Sequence, residues 1–543
     1  MKILLSFLMV CVAATARSQS AAGQNDPGIP HLHKQGTATQ VVVDGKPFLM
    51  LAGELGNSSA SSLDYMRPIW PKVAKMHLNT LLVPVYWELL EPAEGKFDFT
   101  LVDSAIFSAR ASGMRIVFLW FGSWKNSMSC YVPGWIKSDQ DRFPRARISS
   151  GKAQEILSPF YDVNKETDAR AFAELMKHLR IIDGTHHTVV MVQVENEIGM
   201  IPEARDCCKK ANAAFQDQVP SALMSYLEKN KETLAPELLT MWQDAGSKSS
   251  GTWEDVFGKG AHTDEIFMAW YFAAYTNDVA HQGKEEYPLP MYVNAALIRP
   301  GYKPGQYPSA GPLPHLMDIW RAAAPAIDFL APDIYFKNLT EWCERFDRSG
   351  NPIFIPEAGN NQSMANAFYA FARHNAMGYS PFSIESLADP DNNQVAKGYE
   401  VLQQLEPLIV EHQGKGTMNG ILLDSASQSE RIQLGDYAIL FRHEYGWRYA
   451  VRTGPDTPRV GGMVIMISKD EFLVAGTGVM VSFWPRSSDD DAVGIMSMDE
   501  GTFVDGKWVA GRRMNGDQDN QGRETHLPSG MFTIQKVKLY RYK

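Results

Sequence analysis

From about residue 40 onward, near-continuous apolar runs alternate with stretches of helical periodicity. The runs lie at residues 48–53, 81–85, 116–121, 188–194, 291–295, 329–335, 353–357 and 378–386. Apolar runs that lack an in–out alternation predict parallel strands covered on both faces. Between them, Phe172, Leu175, Met176 and Leu179 fall at i, i+3, i+4 and i+7, one buried face of a helix that Asp183-Gly184 closes. Thr100 with Asp103 reads as a capping box opening an earlier helix, and Gly113 ends it. A succession of strand–helix units, with no dinucleotide fingerprint at the first turn, predicts an α/β fold of the (β/α)8 TIM-barrel type.

Two segments break that rhythm. Residues 201–285 form a long insertion after the fourth strand, carrying Cys207-Cys208, Trp242 and Trp253, with helical periodicity over 268–280. Past about residue 410, short strands at 436–440, 462–468, 471–475, 478–484 and 536–542 are punctuated by Gly, Asp and Asn. This texture predicts a smaller all-β, sandwich-like C-terminal domain. The expected organisation is a signal peptide over 1–24, the catalytic barrel over 25–408 with its insertion at 201–285, and the β-domain over 409–543. Asp489-Asp490-Asp491 and the loop 515–520 are acidic enough to attract calcium but lack ordered ligand spacing, so solvated turns are the expectation.

The N-terminus reads as an export signal: Met1-Lys2, an apolar stretch over 3–14, then Ala14-Thr15-Ala16 as a small-x-small cleavage pattern. Bulky Val10 before Cys11 makes a poor lipoprotein site, so the expectation is an exported, periplasmic or secreted protein without a membrane anchor. Sixty-two acidic against 52 basic residues leave a net charge of −10 with no basic run, which argues against nucleic acid and anionic membranes as partners. Cys130, Cys207, Cys208 and Cys343 remain after the signal; export permits a bridge from Cys207 or Cys208 to Cys130 or Cys343, and no spacing reads as a zinc site. Thirteen tryptophans are numerous enough for a few to serve as sugar-stacking platforms beside those in the core. The oligomeric state is not readable at this level.

The sharpest candidate chemistry sits in Val192-Gln193-Val194-Glu195-Asn196-Glu197-Ile198-Gly199, where an apolar strand ends abruptly in polar side chains. In a barrel such C-terminal tips carry catalysis, and a carboxyl against an apolar wall keeps its proton toward neutrality. Ile355-Pro356-Glu357-Ala358-Gly359 ends the seventh run in the same way. Strand order puts Glu197 and Glu357 across the barrel mouth, within reach of the ~5–5.5 Å that a retaining glycosidase requires. Asn196 is placed to bond a sugar hydroxyl, while Glu195, on the same strand face one pleat deeper, is expected to bond neighbouring barrel groups. His186-His187, at the barrel's other end, are expected to be structural.

Val-Gln-Val-Glu-Asn-Glu-Ile-Gly closely resembles the acid/base motif of glycoside hydrolase family 35, the β-galactosidases of clan A. Residues 79–99, with Trp87-Glu88-Leu89-Leu90-Glu91-Pro92 and Gly95-Lys96-Phe97-Asp98-Phe99, look like that family's strand-two block. The resemblance covers residues 35–390 and, with the β-rich C-terminus, points to the bacterial branch similar to xyloglucan-active enzymes. It implies an exo-acting retaining β-galactosidase that needs neither cofactor nor metal and takes a carbohydrate substrate, with Glu197 as acid/base and Glu357 as nucleophile. A β-glucosidase or α-L-arabinopyranosidase, and more remotely a silent carbohydrate-binding protein, are the alternatives. Two departures concern the sugar. Pro84-Val85-Tyr86-Trp87-Glu88 stands for the usual Tyr-Val-Pro-Trp-Asn, and Gly122-Ser123-Trp124 for the usual Ala-Glu-Trp. The hydroxyl-binding carboxylate is therefore missing at Ser123, with Glu88 or Glu54 as its replacement. Trp87 and Trp124 are candidate stacking residues, Tyr335 a partner that tunes the nucleophile, and Glu385 on the eighth strand a hydroxyl ligand. Trp242 and Trp253 are expected to wall the pocket.

Overall fold

The computed structural model describes residues 28–444, 459–487 and 491–543. The segment expected to be an export signal therefore lies outside the described residues, as do Asp489 and Asp490. An N-terminal antiparallel sheet comes first: β1 (His31–Gln35), β2 (Ala38–Val43) and β3 (Lys46–Phe48). It was not expected, because Thr39 and Gln40 interrupt the apolar pattern of β2 although every residue of that strand is buried.

The barrel follows with β4 (Met50–Glu54), β5 (Thr80–Tyr86) and β6 (Arg115–Lys125). A small hairpin, β7 (Arg145–Arg147) and β8 (Ala153–Leu157), precedes β9 (Val189–Asn196). Then come β10 (Met291–Ala296), β11 (Phe329–Ile334), β12 (Ile355–Ala358) and β13 (Gly378–Pro381). Setting aside the hairpin, these eight strands close in sequence order into a parallel barrel, β13 pairing back onto β4. All eight expected strands are present, and β4, β5, β9, β11, β12 and β13 are buried along their whole length, which is why each reads as an unbroken apolar run.

Several boundaries differ from expectation. Thr100 does not open a capping box: its backbone N–H, the first of the helix Thr100–Ala111, donates to Asp98 Oδ1 at 2.9 Å, and Asp103 instead meets His178 Nε2 at 2.6 Å. The helix Ala261–Glu286 is far longer than the periodicity over 268–280 suggested, and it packs on the barrel helix Asp162–Asp183. The end of the insertion is thus the barrel's own helix after β9, and the inserted part is the group of short helices before it. Glu385 lies on a short 3-10 turn, Ile384–Ser386, rather than on the eighth strand.

The barrel's last helix is Gln394–His412, so a boundary at 408/409 cuts through it. Beyond it stand β14 (Met418–Leu423), β15 (Ser429–Leu434), β16 (Tyr437–His443), β17 (Val460–Ser468), β18 (Glu471–Thr477) and β19 (Val479–Pro485). They are followed by β20 (Ala492–Val504), β21 (Lys507–Met514), β22 (Glu524–Leu527) and β23 (Thr533–Tyr542). These form a six-stranded sheet, β14-β17-β18-β23-β20-β21, and a four-stranded sheet, β15-β16-β19-β22, both antiparallel, around a separate apolar core that includes Phe441, Phe472 and Phe483. Cys130, Cys207, Cys208 and Cys343 are all free thiols, so neither bridge forms; Cys208 Sγ instead caps the helix Lys209–Gln216. Among the described residues no helix is long and apolar enough to cross a membrane.

Candidate active site

The C-terminal tips of the barrel strands converge on a buried polar cluster. β9 delivers Asn196 and Glu197, β10 Asn294, β11 Asp333, and β12 Glu357; Lys125 ends β6 and Glu54 ends β4. One carboxylate oxygen each of Glu197, Asp333 and Glu357 lies within 4.8 Å of the other two. That spacing would also suit a cation, and Lys125, nearly fully buried, already lends positive charge to the same three groups.

Glu357 accepts from three donors: Asn196 Nδ2 and Asn294 Nδ2, each 3.3 Å from Oε1, and Tyr335 Oη, 2.6 Å from Oε2. Those are the contacts of a carboxylate held to face one direction. Glu197 is held differently. Its backbone N–H donates to Asn294 Oδ1 at 2.9 Å, and Asn126 Nδ2 donates to its Oε2. Burial, then the charge of Glu357, raises the Glu197 carboxyl to about 7, against the opposing pull of Lys125 and a bond from Asp333. The two carboxyls thus stand side by side in different surroundings, Glu197 pushed toward its protonated form and Glu357 gripped by donors.

Glu195 and Glu197 both have positive φ, 62° and 44°, which breaks the regular alternation of the strand end. Glu195 therefore does not share the face of Glu197. It turns outward, accepting from the Trp124 N–H at 2.7 Å beside Asp168 of the helix Asp162–Asp183. Burial and Asp168 push its carboxyl well up.

Lys125 Nζ donates to Asn196 Oδ1 at 2.8 Å, which orients that amide so that its Nδ2 faces Glu357. Burial works to lower the Lys125 ammonium, but Glu357, Glu197, Glu54 and Asp333 outweigh it and the net shift is upward. Asp333 is pushed well up by burial and by Glu357. Lys125, Asn126, Asn294 and Asp333 escaped the sequence analysis. Each is a polar residue at the end of an apolar run, the signal that singled out Glu197 and Glu357.

Other expected site residues lie elsewhere. Trp87 is fully buried, its Nε1 donating to Glu91 Oε2 at 2.9 Å, with Trp120 as its ring neighbour. Trp124 is equally buried, its Nε1 on the Leu157 carbonyl and its ring against Phe272 and Tyr275. Neither can stack on a sugar. Glu88 pairs with Lys137 at 2.9 Å and leaves the cleft. Trp242 and Trp253 are buried in the insertion, Trp253 against Phe257 and Phe267, and wall no cleft. His187 bonds Asp44 far from the site, at the start of β9. The cleft beside Glu197 is instead a cavity of about 560 Å³ walled by Arg299, Tyr302, Gln306, Tyr335 and Phe336.

Two family models match parts of the chain. Residues 66–261 match a model of glycoside hydrolase family 42, described as β-galactosidase, and residues 395–526 match a domain of unknown function, DUF5597. The matching model is thus that of family 42, where the motifs had suggested family 35. A β-galactosidase from Xanthomonas manihotis is 31% identical over 118 residues, which are 21% of this chain and 19% of that protein. The chain thus spans about a fifth of the length of that curated relative. Solved β-galactosidases superpose loosely. That of Marinomonas ef1 gives a TM-score of 0.44 at 11% identity over 67% of this chain and 60% of its own. That of Rahnella sp. R3 gives 0.46 at 15% over 69% and 58%. A catalytic mutant of a family 42 β-galactosidase from G. stearothermophilus gives 0.48 at 10% over 93% and 100%.

Proposed function

We propose that the protein is a retaining exo-β-galactosidase that removes terminal β-galactosyl residues from oligo- or polysaccharides such as xyloglucan fragments. The observation that carries this reading is the Glu197–Glu357 pair, oxygens within 4.8 Å at the tips of opposed barrel strands, with the Glu197 carboxyl raised to about 7. Such proximity matches double displacement, whereas inverting enzymes hold their carboxyls about 6.5–9.5 Å apart to admit a water. Glu197 donates its proton to the departing glycosidic oxygen while a Glu357 oxygen attacks the anomeric carbon, forming a glycosyl ester. Glu197, now ionised, takes a proton from water, which attacks the same carbon and releases Glu357. Glu197 lines the open cavity, where the leaving group can sit, while Glu54, whose strongest electrostatic neighbour is Glu357, is fully buried, which supports attack on a chain end. The galactose preference rests on the family 42 match and the Xanthomonas relative, and the export signal pattern supports action outside the cytoplasm.

Glu357→Ala is expected to lose turnover on nitrophenyl β-galactoside, and azide to restore it with an α-galactosyl azide product. Wild-type enzyme should release β-galactose first, as read by proton NMR. An inverted first product, or an active Glu357→Ala enzyme, sinks the mechanism. A panel of nitrophenyl glycosides with a galactosylated xyloglucan oligosaccharide checks the sugar.

A further inference from the structure

The far end of the six-stranded sheet carries a second cavity, of about 480 Å³, outside the barrel. Its floor is the run 494–497 of β20, a stretch that ends where pairing with β21 begins at Met498. One wall is Tyr540 and Tyr542 of β23, and the other is the loop 515–523. The Ile495 N–H donates to the Gly522 carbonyl at 3.2 Å and ties that loop to the floor.

Alternation along β23 puts both tyrosines on the face that Ile534 presents to the barrel. They continue that face where the barrel no longer covers it, 42% and 49% exposed. Tyr540 stands opposite Gly494, where a Cβ would lie 2.7 to 2.9 Å from its ring and hydroxyl. The ring therefore lies across the buried glycine, a placement that any other residue there would deny it. The Tyr542 ring follows at 5.5 Å between centroids and a tilt of 32°, so the two form one ledge.

The opposite wall is polar. Asp519, in a loop expected to be a solvated turn, is instead buried, and its Oδ1 has no hydrogen-bond partner among the described residues. Arg513 is held by Asp499 through bonds of 2.5 and 3.2 Å, while Gln521 and Arg523 stand exposed. An aromatic ledge facing such a wall suits a ligand with an apolar face and a hydroxylated rim, because each hydroxyl both donates and accepts. Charge argues against the other classes: Arg513 and Arg523 oppose a cation, and Asp499 and Asp519 oppose a polyanion. Gly522 already occupies the β20 edge at Ile495, where a peptide would have to add as a strand.

We propose that this cleft is a non-catalytic glycan-binding site that takes a neutral oligosaccharide segment, with pyranose faces on Tyr540 and Tyr542 and hydroxyls toward Asp519 and Gln521. It reaches beyond the hydrolytic reading and does not depend on which sugar the barrel cleaves.

The test is affinity electrophoresis of the full chain through gels containing xyloglucan, pectic galactan or polygalacturonate, with Glu357→Ala in every sample to prevent hydrolysis. At least one neutral glycan should retard the chain, and polygalacturonate should not. Replacing both tyrosines by Ala should weaken that binding on the order of 10-fold, as the loss of two stacked rings implies. Replacing both by Phe should preserve it. With Glu357 restored, the double-alanine enzyme should keep the kcat/KM of wild type on nitrophenyl β-galactoside. If wild type cleaves no galactoside, only the hydrolytic reading falls, and the gels still decide this one. If the double-alanine variant melts lower than wild type, Gln521→Ala on the exposed opposite wall takes its place and should weaken binding in the same gels. No retardation by either neutral glycan, retardation unchanged by these substitutions, or polygalacturonate bound as tightly as the neutral glycans overturns the proposal.

Discussion

Glu197 keeps a proton near neutrality because it is buried beside the charge of Glu357, while Lys125 pulls the other way. A carboxyl raised to about 7 is the acid form below that pH and loses its proton as pH rises through it. kcat/KM for a poor leaving group should therefore fall on the alkaline side with a midpoint near 7. A dinitrophenyl galactoside, whose leaving group needs no proton, should show little of that limb. The opposing cation gives the argument a sign. Removing it in Lys125→Met should carry the alkaline midpoint upward, even though the rate drops because Asn196 loses the ammonium that orients its amide. A midpoint that moves down, or an equal limb for both leaving groups, would show that some group other than Glu197 governs it.

At the scale of elements, the insertion is a buttress rather than a wall of the cleft. Trp253 lies on the short helix Trp253–Phe257, which opens with a Thr252–Asp255 capping box, and its ring meets Phe267 edge-on at 5.3 Å. Phe267, on the long helix Ala261–Glu286, also contacts Phe160 and Phe215, so one aromatic seam joins the insertion to the barrel. Trp253→Ala should cost about 3–5 kcal/mol, as large-to-small changes of a buried Trp do. Trp253→Phe should be milder, since among the described residues the indole Nε1 has no hydrogen-bond partner to lose. Thermal melts and limited proteolysis of residues 201–260 check the stability. KM for nitrophenyl galactoside should stay unchanged in both variants, and a raised KM with intact stability would return Trp253 to the cleft. The same element explains what was legible. Parallel strands buried on both faces announce themselves as apolar runs, and a Glu at the end of such a run is conspicuous, so the barrel and the Glu197–Glu357 pair could be read directly. An aromatic at a strand end looks the same whether it faces the lumen or the helices. The register shift between β6 and β9 from Trp120 to Lys125 decides this for Trp124, and no pattern of residue types reveals it. The positive φ of Glu195, which turns it away from Glu197, is equally silent in sequence.

For the whole molecule, the relation between barrel and β-domain follows from where the apolar contacts run. Met418, Leu422, Met463, Ile465 and Leu473 of the six-stranded sheet belong to the same hydrophobic cluster as the barrel, while the sheet's other face closes the sandwich core. The barrel helix Ala365–Arg373 meets β14 so closely that a Cβ on Gly420 would lie 3.0 Å from the Tyr369 carbonyl and 3.1 Å from the Ala372 methyl. That helix follows β12, which carries Glu357. Shared apolar surface of this kind couples unfolding, because neither part can lose its partner without exposing its own core. The full chain should therefore melt in one calorimetric transition that coincides with loss of activity. A chain ending at Gly416 would leave Phe368, which stacks on Phe532, and Tyr369, which lies against Gly420, without their cover and should be recovered aggregated or inactive. Gly420→Val, which forces a side chain into the Tyr369 carbonyl, should lower that single transition without splitting it. Two resolved transitions, or a soluble and active barrel lacking the sheets, would show that the β-domain is an appendage. Coincident melting and inactivation would make it part of the scaffold that holds Glu357 in place.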